Sequence, residues 1–331
     1  MSKFIGRRVE VGVGVEGVGA DRGVAVAPTI WIPRADFNFN DRVIKARDVS
    51  GVGKIADSLV ALNVTRYSEG DLVMNLRSQA IGYFLYSLLG ALSTAGPADT
   101  TAYTHSFTIA ETNQHQSLTF YIKNPDNTNA FKLAMVNSLE FVATLDELVQ
   151  VNASILSKKG NAWAALAPTY TTEALFHRSH VKVKIAADIA GLAAAPVLSI
   201  KALRLNINQN VIRDGVLGTA EPEDNLNQQL SVEGEIVLNL EDETWKNYLK
   251  TPTDRAMEIF FENTDVLVAG SAVTRPSLKI QLPKVDFDTW EPDNTLDEIV
   301  TQTLSFKGSY DLANDQNIIH LCELVNAEDS Y

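Results

Sequence analysis

The chain has 331 residues, of which 45% are hydrophobic and 21% charged, and a net charge of −13. That length permits two domains with separate cores. The acidic balance repels phosphate and argues against a stable nucleic-acid complex, and no apolar run reaches the roughly eighteen residues a bilayer span needs.

The N-terminus, Met1-Ser2-Lys3-Phe4-Ile5-Gly6-Arg7-Arg8, is basic but has no apolar stretch behind it, so a cleaved signal is not expected. Valines then alternate with glycines and acids, and Val9-Glu10-Val11 and Val24-Ala25-Val26 read as short strands. In Phe37-Asn38-Phe39-Asn40 the aromatics fall on one face of a strand and the asparagines on the other. A polar segment from Asp48 to Ser58 follows, then the strand Gly70-Asp71-Leu72-Val73-Met74-Asn75-Leu76. Ser78 to Leu89 carries Ile81, Phe84, Leu85 and Leu88 at helical spacing and stops at Gly90. Val181 to Ile185, Leu238 to Leu240 and Leu278 to Leu282 show the period of two again. The segment Thr244–Lys250 reads as a helix that starts behind three acids, Glu241 to Glu243, and is stopped by Pro252. A shorter helix is predicted over Asn317–Val325.

Four of these blocks recur in order. Phe37-Asn38-Phe39-Asn40 returns as Leu205-Asn206-Ile207-Asn208, 168 residues on, and Gly70–Leu76 returns as Gly234–Leu240, 164 on. Leu118–Asn124 resembles Met257–Asn263 at an offset of 139, and Leu145-Asp146-Glu147-Leu148-Val149 matches Leu296-Asp297-Glu298-Ile299-Val300. The fall from 164 to 139 places about 25 extra residues in the first copy, around Ala91–Gln116. A first domain over 1–165, a linker at 161–172 and a second domain over 173–331 follow. The copies differ in charge: residues 1–175 hold 15 Lys+Arg and 16 Asp+Glu, net −1, whereas 176–331 hold 13 and 25, net −12. By composition alone that acidity reads as solubility, or as a surface past which DNA moves without sticking.

Chemical motifs are weak. Gly12-Val13-Gly14-Val15-Glu16-Gly17 fits the dinucleotide fingerprint as a string, but no helix is signalled after it to hold a pyrophosphate, so no cofactor is expected. His177-Arg178-Ser179-His180 contains the closest histidine pair, and His105, His115 and His320 show no complementary spacing, so metal binding is not expected either. Neither a phosphate loop nor a serine nucleophile elbow is present. The acids of Glu221–Asp224 and Glu241–Glu243 read as a solvated loop and a helix start. Asn63 and Asn152 head glycosylation strings that mean nothing without secretion. The single cysteine, Cys322, excludes an intrachain disulfide and reads as a small buried hydrophobe in a reducing compartment.

Taken in order, Gly6-Arg7-Arg8-Val9-Glu10-Val11-Gly12, Pro28-Thr29-Ile30-Trp31-Ile32-Pro33, the Asn-alternating strand, the Gly-acid strand and the helix to Gly90 form a recognisable series. Tyr103–Phe107, Leu118–Phe120, Val183–Ala186, Ala190–Pro196 and Ile200–Leu203 continue it. The chain resembles the tail tube proteins of long-tailed bacteriophages, in the larger form with two fused tube domains. The resemblance implies a mainly β fold, a β-sandwich or β-barrel with one flanking helix per domain, duplicated in tandem. It implies a structural protein and not an enzyme, self-assembled into stacked rings, with trimers imitating sixfold symmetry. By the same resemblance, double-stranded DNA and a tape-measure protein are expected to pass through the lumen, other tail proteins are expected as neighbours, and neither cofactor nor membrane insertion is called for. Assembly is expected in the host cytoplasm. The long loop Arg42–Leu59, with its counterpart Arg213–Gln229, is expected to reach the adjacent ring, through Arg42, Lys45, Arg47, Asp48, Lys54, Arg213, Asp214, Glu221 and Glu223. Asn38, Asn40, Asn206 and Asn208 are assigned to a lumen wall or a subunit interface. The alternatives are another virion structural protein, a tail terminator or capsid-decorating component, and an enzyme whose cleft gathers Glu147 and Glu298.

Overall fold

The computed structural model describes residues 3–331 except 100, 252 and 298; the predicted helix stop Pro252 and the candidate acid Glu298 therefore lie outside the described residues. The strands, in chain order, are β1 Glu10–Val15, β2 Ile30–Ile32, β3 Arg34–Phe37, β4 Asn40–Asp48, β5 Val60–Asn75, β6 Gly90–Ala98, β7 Ala102–Ile109, β8 Leu118–Lys123, β9 Thr128–Ala143, β10 Gln150–Ser157, β11 Asn161–Ala162, β12 Val181–Ala186, β13 Ile200–Asn208, β14 Ile212–Asp214, β15 Asp224–Leu226, β16 Ser231–Asn239, β17 Arg255–Glu262, β18 Ser277–Asp293, β19 Thr301–Ser309 and β20 Leu321–Asn326. Two α-helices, α1 Ala80–Leu89 and α2 Thr244–Lys250, follow β5 and β16. The fold is mainly β and its sheets are open.

The pairing scheme recurs. β1 runs antiparallel to β8, and β12 antiparallel to β17. β10 lies between β5 and β9, and β19 lies between β16 and β18. β9 and β18 each serve two layers, pairing first with the preceding strand (β8, β17) and then with the following one (β10, β19). The two series join where the far half of β9 pairs with β13, Leu203↔Ala143 through Asn208↔Ser138. One sheet therefore runs through β3/β4, β5, β10, β9, β13, β16, β19 and β18. β6 and β7 form a hairpin within the 90–109 stretch, and β7 docks on β20.

The period of two sets the faces of this sheet. Leu72, Ala153, Leu139, Ile207 and Val232, neighbours across five strands, are all fully buried. α1 covers that apolar side, burying Ile81, Phe84, Leu85 and Leu88 as their spacing predicts, and ends at Gly90 with φ 87°. α2 half-buries Trp245 and Tyr248, whose rings pack on Phe287 at 6.0 and 6.3 Å. The glycine of each Gly-acid block has a steric cause. A Cβ on Gly70 would overlap the backbone of Phe39, and one on Gly234 would overlap the Arg204 carbonyl.

Three sequence expectations need correction. The predicted helix over Asn317–Val325 is absent, and its second half is strand β20, with Cys322, Leu324 and Asn326 buried in alternation. β18 and β7 both offer an open ladder there, and backbone pairing on two sides outweighs a short helical pattern. Val24-Ala25-Val26 is irregular; Val26 N–H donates to Thr119 Oγ1 at 3.2 Å and its carbonyl accepts from the Tyr121 hydroxyl, so a side-chain clasp replaces a ladder. Phe37–Asn40 is two strands, broken at Asn38-Phe39 where the chain crosses Gly70.

The N-terminus of α1 is capped from the connector between the two series. Glu173 Oε2 accepts from Gln79 N at 2.9 Å and Ala80 N at 2.8 Å. Burial raises its carboxyl pKa, outweighing the lowering by those two amides. A raised native pKa means that the folded state holds the proton more tightly. Its contribution is complete below the ordinary value of 4.5 and is lost as pH rises through the native value. Glu173→Gln is expected to flatten the fall in urea midpoint between pH 4 and pH 7 relative to the unsubstituted protein. An unchanged slope would show that Glu173 is not the group responsible.

Candidate assembly surface

The side of the continuous sheet that faces away from the core is polar. One row crosses eight strands: Asp36, Val73, Asn152, Glu140, Asn206, Glu233, Lys307 and Asp286, each paired with the next. It holds four carboxylates and one ammonium, and each member is exposed or half-buried. The adjacent row, Asp71, Ser154, Ser138, Asn208 and Ser231, is also polar. The alternation that buries Leu139 and Ile207 forces their neighbours Glu140 and Asn206 outward.

All four predicted asparagines lie outside the core. Asn38 is exposed; its Nδ2 donates to Asp71 Oδ2 at 3.1 Å and its Oδ1 accepts from Asp71 N at 2.5 Å. Asn40 is exposed, its Oδ1 accepting from Asp41 N at 2.9 Å. Asn206 is half-buried and reaches Glu233 Oε1 at 3.4 Å, and Asn208 Oδ1 accepts from Asn210 N at 2.8 Å. Across the β9–β13 junction Arg204 pairs with Glu140, whose second oxygen accepts from Asn152 Nδ2 at 2.8 Å.

The segment Arg42–Leu59 is not a loop throughout. Arg42, Lys45, Arg47 and Asp48 stand on β4, which pairs with β5 as far as Asp48↔Val60, so the feature is a strand hairpin with its tip at 49–59. Every residue of β4 is exposed. Arg42 lies 3.4 Å from Glu69, an exposed pair of small energetic weight. Asp48 Oδ1 accepts from Ser50 Oγ at 2.6 Å and Ser50 N at 3.0 Å, which holds its carboxyl below the usual range. Lys54 is exposed in the tip. The hairpin also exposes Val43, Ile44, Val49, Val52, Ile55, Leu59, Val60, Leu62 and Val64. No short sequence pattern flags so many apolar side chains left uncovered on one arm.

The counterpart segment behaves differently. β14 and β15 form a separate two-stranded ladder, Arg213↔Asn225, that folds back on the base of the first hairpin. Arg213 lies over the Tyr67 ring at 3.6 Å, Arg66 N donates to the Ala220 carbonyl at 2.7 Å, and Glu221 pairs with Lys159 at 2.8 Å. A cleft of about 520 Å³ lies between them, lined by Arg66, Lys158, Lys159 and Glu221 among others. Asp214 and Glu223 are exposed, linked by Glu223 N donating to the Asp214 carbonyl at 2.8 Å. Sequence reasoning missed the anchor of this ladder. Arg22 reaches from the N-terminal turn to Asp224 Oδ1 at 3.1 Å, and donates to the His115 carbonyl at 2.5 Å and the Asn225 carbonyl at 2.8 Å. The 202-residue separation of that pair leaves no local signal.

Leu145-Asp146 and Leu296-Asp297 of the repeated blocks stand in turns. Asp146 and Asp297 have φ of 67° and 68°, a left-handed conformation that aspartate tolerates, and Glu147 is exposed and accepts from Thr144 Oγ1 at 2.9 Å. Among the described residues no helix is long and apolar enough to cross a membrane.

These features define a mainly β protein whose outstanding surface is a two-faced sheet with an acidic polar side and a projecting hairpin. The sequence model of the family described as phage tail tube protein matches residues 6–308, nearly the whole chain. The chain belongs to the phage tail tube protein family, a structural component of the virion tail. Comparison with curated proteins gives no significant match.

Proposed function

We propose that the protein is a duplicated tail tube subunit, with tube domains at 1–165 and 173–331 joined by a linker at 161–172. It assembles into trimeric rings of pseudo-sixfold symmetry that stack into a tube. The observation that carries this reading is the β9–β13 junction, because the chain ends of the same sheet offer its two halves again. Shifted by 151 residues, the register Asn152↔Glu140 of β10–β9 becomes Thr303↔Glu291 of β19–β18. The edge of β18 at Thr289–Asp293 thus corresponds to the edge of β9 that receives β13. At the other end, Asn40↔Glu69 corresponds to Asn206↔Glu233, so β3–β4 corresponds to β13. Among the described residues both edges lack a strand partner. Unpaired edges favour association, and a head-to-tail contact that repeats by rotation closes a ring.

In this arrangement the polar rows line the lumen. Carboxylates and amides there give DNA no counter-ion to release, so double-stranded DNA and a tape-measure protein slide without being held. The β4–β5 hairpin, with its exposed apolar residues, inserts into the adjacent ring, other tail proteins cap the stack, and assembly takes place in the host cytoplasm. No reaction is assigned to the protein.

Negative-stain electron microscopy of the purified full chain tests the proposal. Stacked hollow rings are expected. Single closed rings would favour a terminator instead, and isolated particles under all assembly conditions would overturn both.

A further inference from the structure

The geometry points to a divalent transition-metal site, of the zinc class, built by His177 Nε2, His180 Nε2 and Asp265 Oδ2. The ligand atoms of these three residues all lie within 4.8 Å of one another. Asp265 Oδ2 stands 3.0 Å from His177 Nε2 and 3.2 Å from His180 Nε2. Two imidazoles and one carboxylate are a recurrent zinc set with one position left for water. Asp265 is mostly exposed, which keeps that position open to solvent.

A second observation points the same way. His180 is fully buried, yet its Nε2 makes no aligned hydrogen bond: it sits at ion-pair distance from Asp265 without the geometry of a donor. A buried polar atom left so is costly, and a metal ion between the three groups would satisfy it. The supporting contacts are in place. Ser179 Oγ lies 3.1 Å from His177 Nδ1, which fixes the ring with Nε2 toward the site. Asp265 N donates to Asn263 Oδ1 at 2.9 Å, and Asn263 Nδ2 donates to the Leu175 carbonyl at 2.8 Å. In the metal-free ring His180 Nδ1 accepts a long 3.3 Å bond from His177 N. Coordination at Nε2 moves the ring proton to Nδ1 and gives up that bond, a cost set against the gain at Nε2.

The site would clamp the connector to the turn after β17, since His177 ends the segment that bridges back to Leu148. The test uses tag-free full chain, stripped with a chelator and titrated with Zn²⁺ by calorimetry, and with Co²⁺ followed by visible absorption. One ion per chain is expected, with a thermal midpoint that rises with Zn²⁺ concentration. His177→Ala and Asp265→Asn, both at partly exposed positions, are expected to weaken binding at least tenfold, while His320→Ala leaves it unchanged. Absence of stoichiometric binding to the unsubstituted protein, or binding within twofold of it in either of the first two variants, overturns the proposal.

Discussion

Replacing both Asn40 and Glu291 by cysteine is expected to give covalently closed trimers on oxidation of assembled protein, and neither single substitution should do so. Asn206 stands directly opposite Glu140 within the chain, and Asn40 and Glu291 are the matching positions on the two free edges. Opposed residues of an antiparallel pair have Cα atoms about 4.5–5.5 Å apart, inside the range a disulfide spans. The native thiol does not compete: Cys322 is fully buried and its pKa is pushed up to about 12 by that burial. Non-reducing gel electrophoresis separates the outcomes. A ladder continuing far beyond trimer would mean that the edges meet in an open filament, and no cross-link at all would break the proposed ring register. The edge lacks one element of the internal junction. Where Arg204 pairs with Glu140, the corresponding residue on the free edge is Asn38, already engaged by Asp71.

Removal of Arg22 carries the largest expected cost in stability. Its guanidinium side chain is 9% exposed and that of Asp224 15%. Asp224 Oδ2 also accepts from Gln114 Nε2 at 2.7 Å. Breaking a buried pair from one side strands the other charge, at about 3–5 kcal/mol. Arg22→Ala should lower the unfolding free energy by about that amount in chemical denaturation. Arg22→Met combined with Asp224→Leu should recover a substantial part, because the stranded carboxylate is gone. A double variant as unstable as Arg22→Ala would show that the arginine acts through the carbonyls of His115 and Asn225 instead. The same substitution frees the β14–β15 ladder from its anchor, so ring stacking should suffer with it if that ladder positions the neighbouring hairpin.

Much of the fold was legible from alternation. In Leu205-Asn206-Ile207-Asn208 each apolar residue is buried and each asparagine is not, because a strand that covers a core on one side leaves its neighbours outside. The spacing of Ile81, Phe84, Leu85 and Leu88 placed α1 within two residues of its start. The repeat alignment was less secure. Sequence aligns Phe37 with Leu205, whereas the ladders set Asn40 opposite Glu69 and Asn206 opposite Glu233, which aligns Asn40 with Asn206, a slip of two residues. A slip of two keeps every side chain on its face, so the residue pattern cannot detect it.

The amino-acid sequence by itself determined which side of an alternating strand such as β13 meets the core, where the two helices form, and that the chain is acidic and poor in catalytic groupings. These properties depend on neighbours a few residues apart. Only the tertiary structure decided the rest. β20 became a strand because two open ladders awaited it; Arg42–Asp48 became a hairpin arm because β5 extends to meet it; and the second ladder folded back because Arg22 and Tyr67 hold it there. His177, His180 and Asp265 came together through the turn after β17. Each of these contacts joins residues far apart in the chain, and the free energy that fixes them comes from partners that no local window contains.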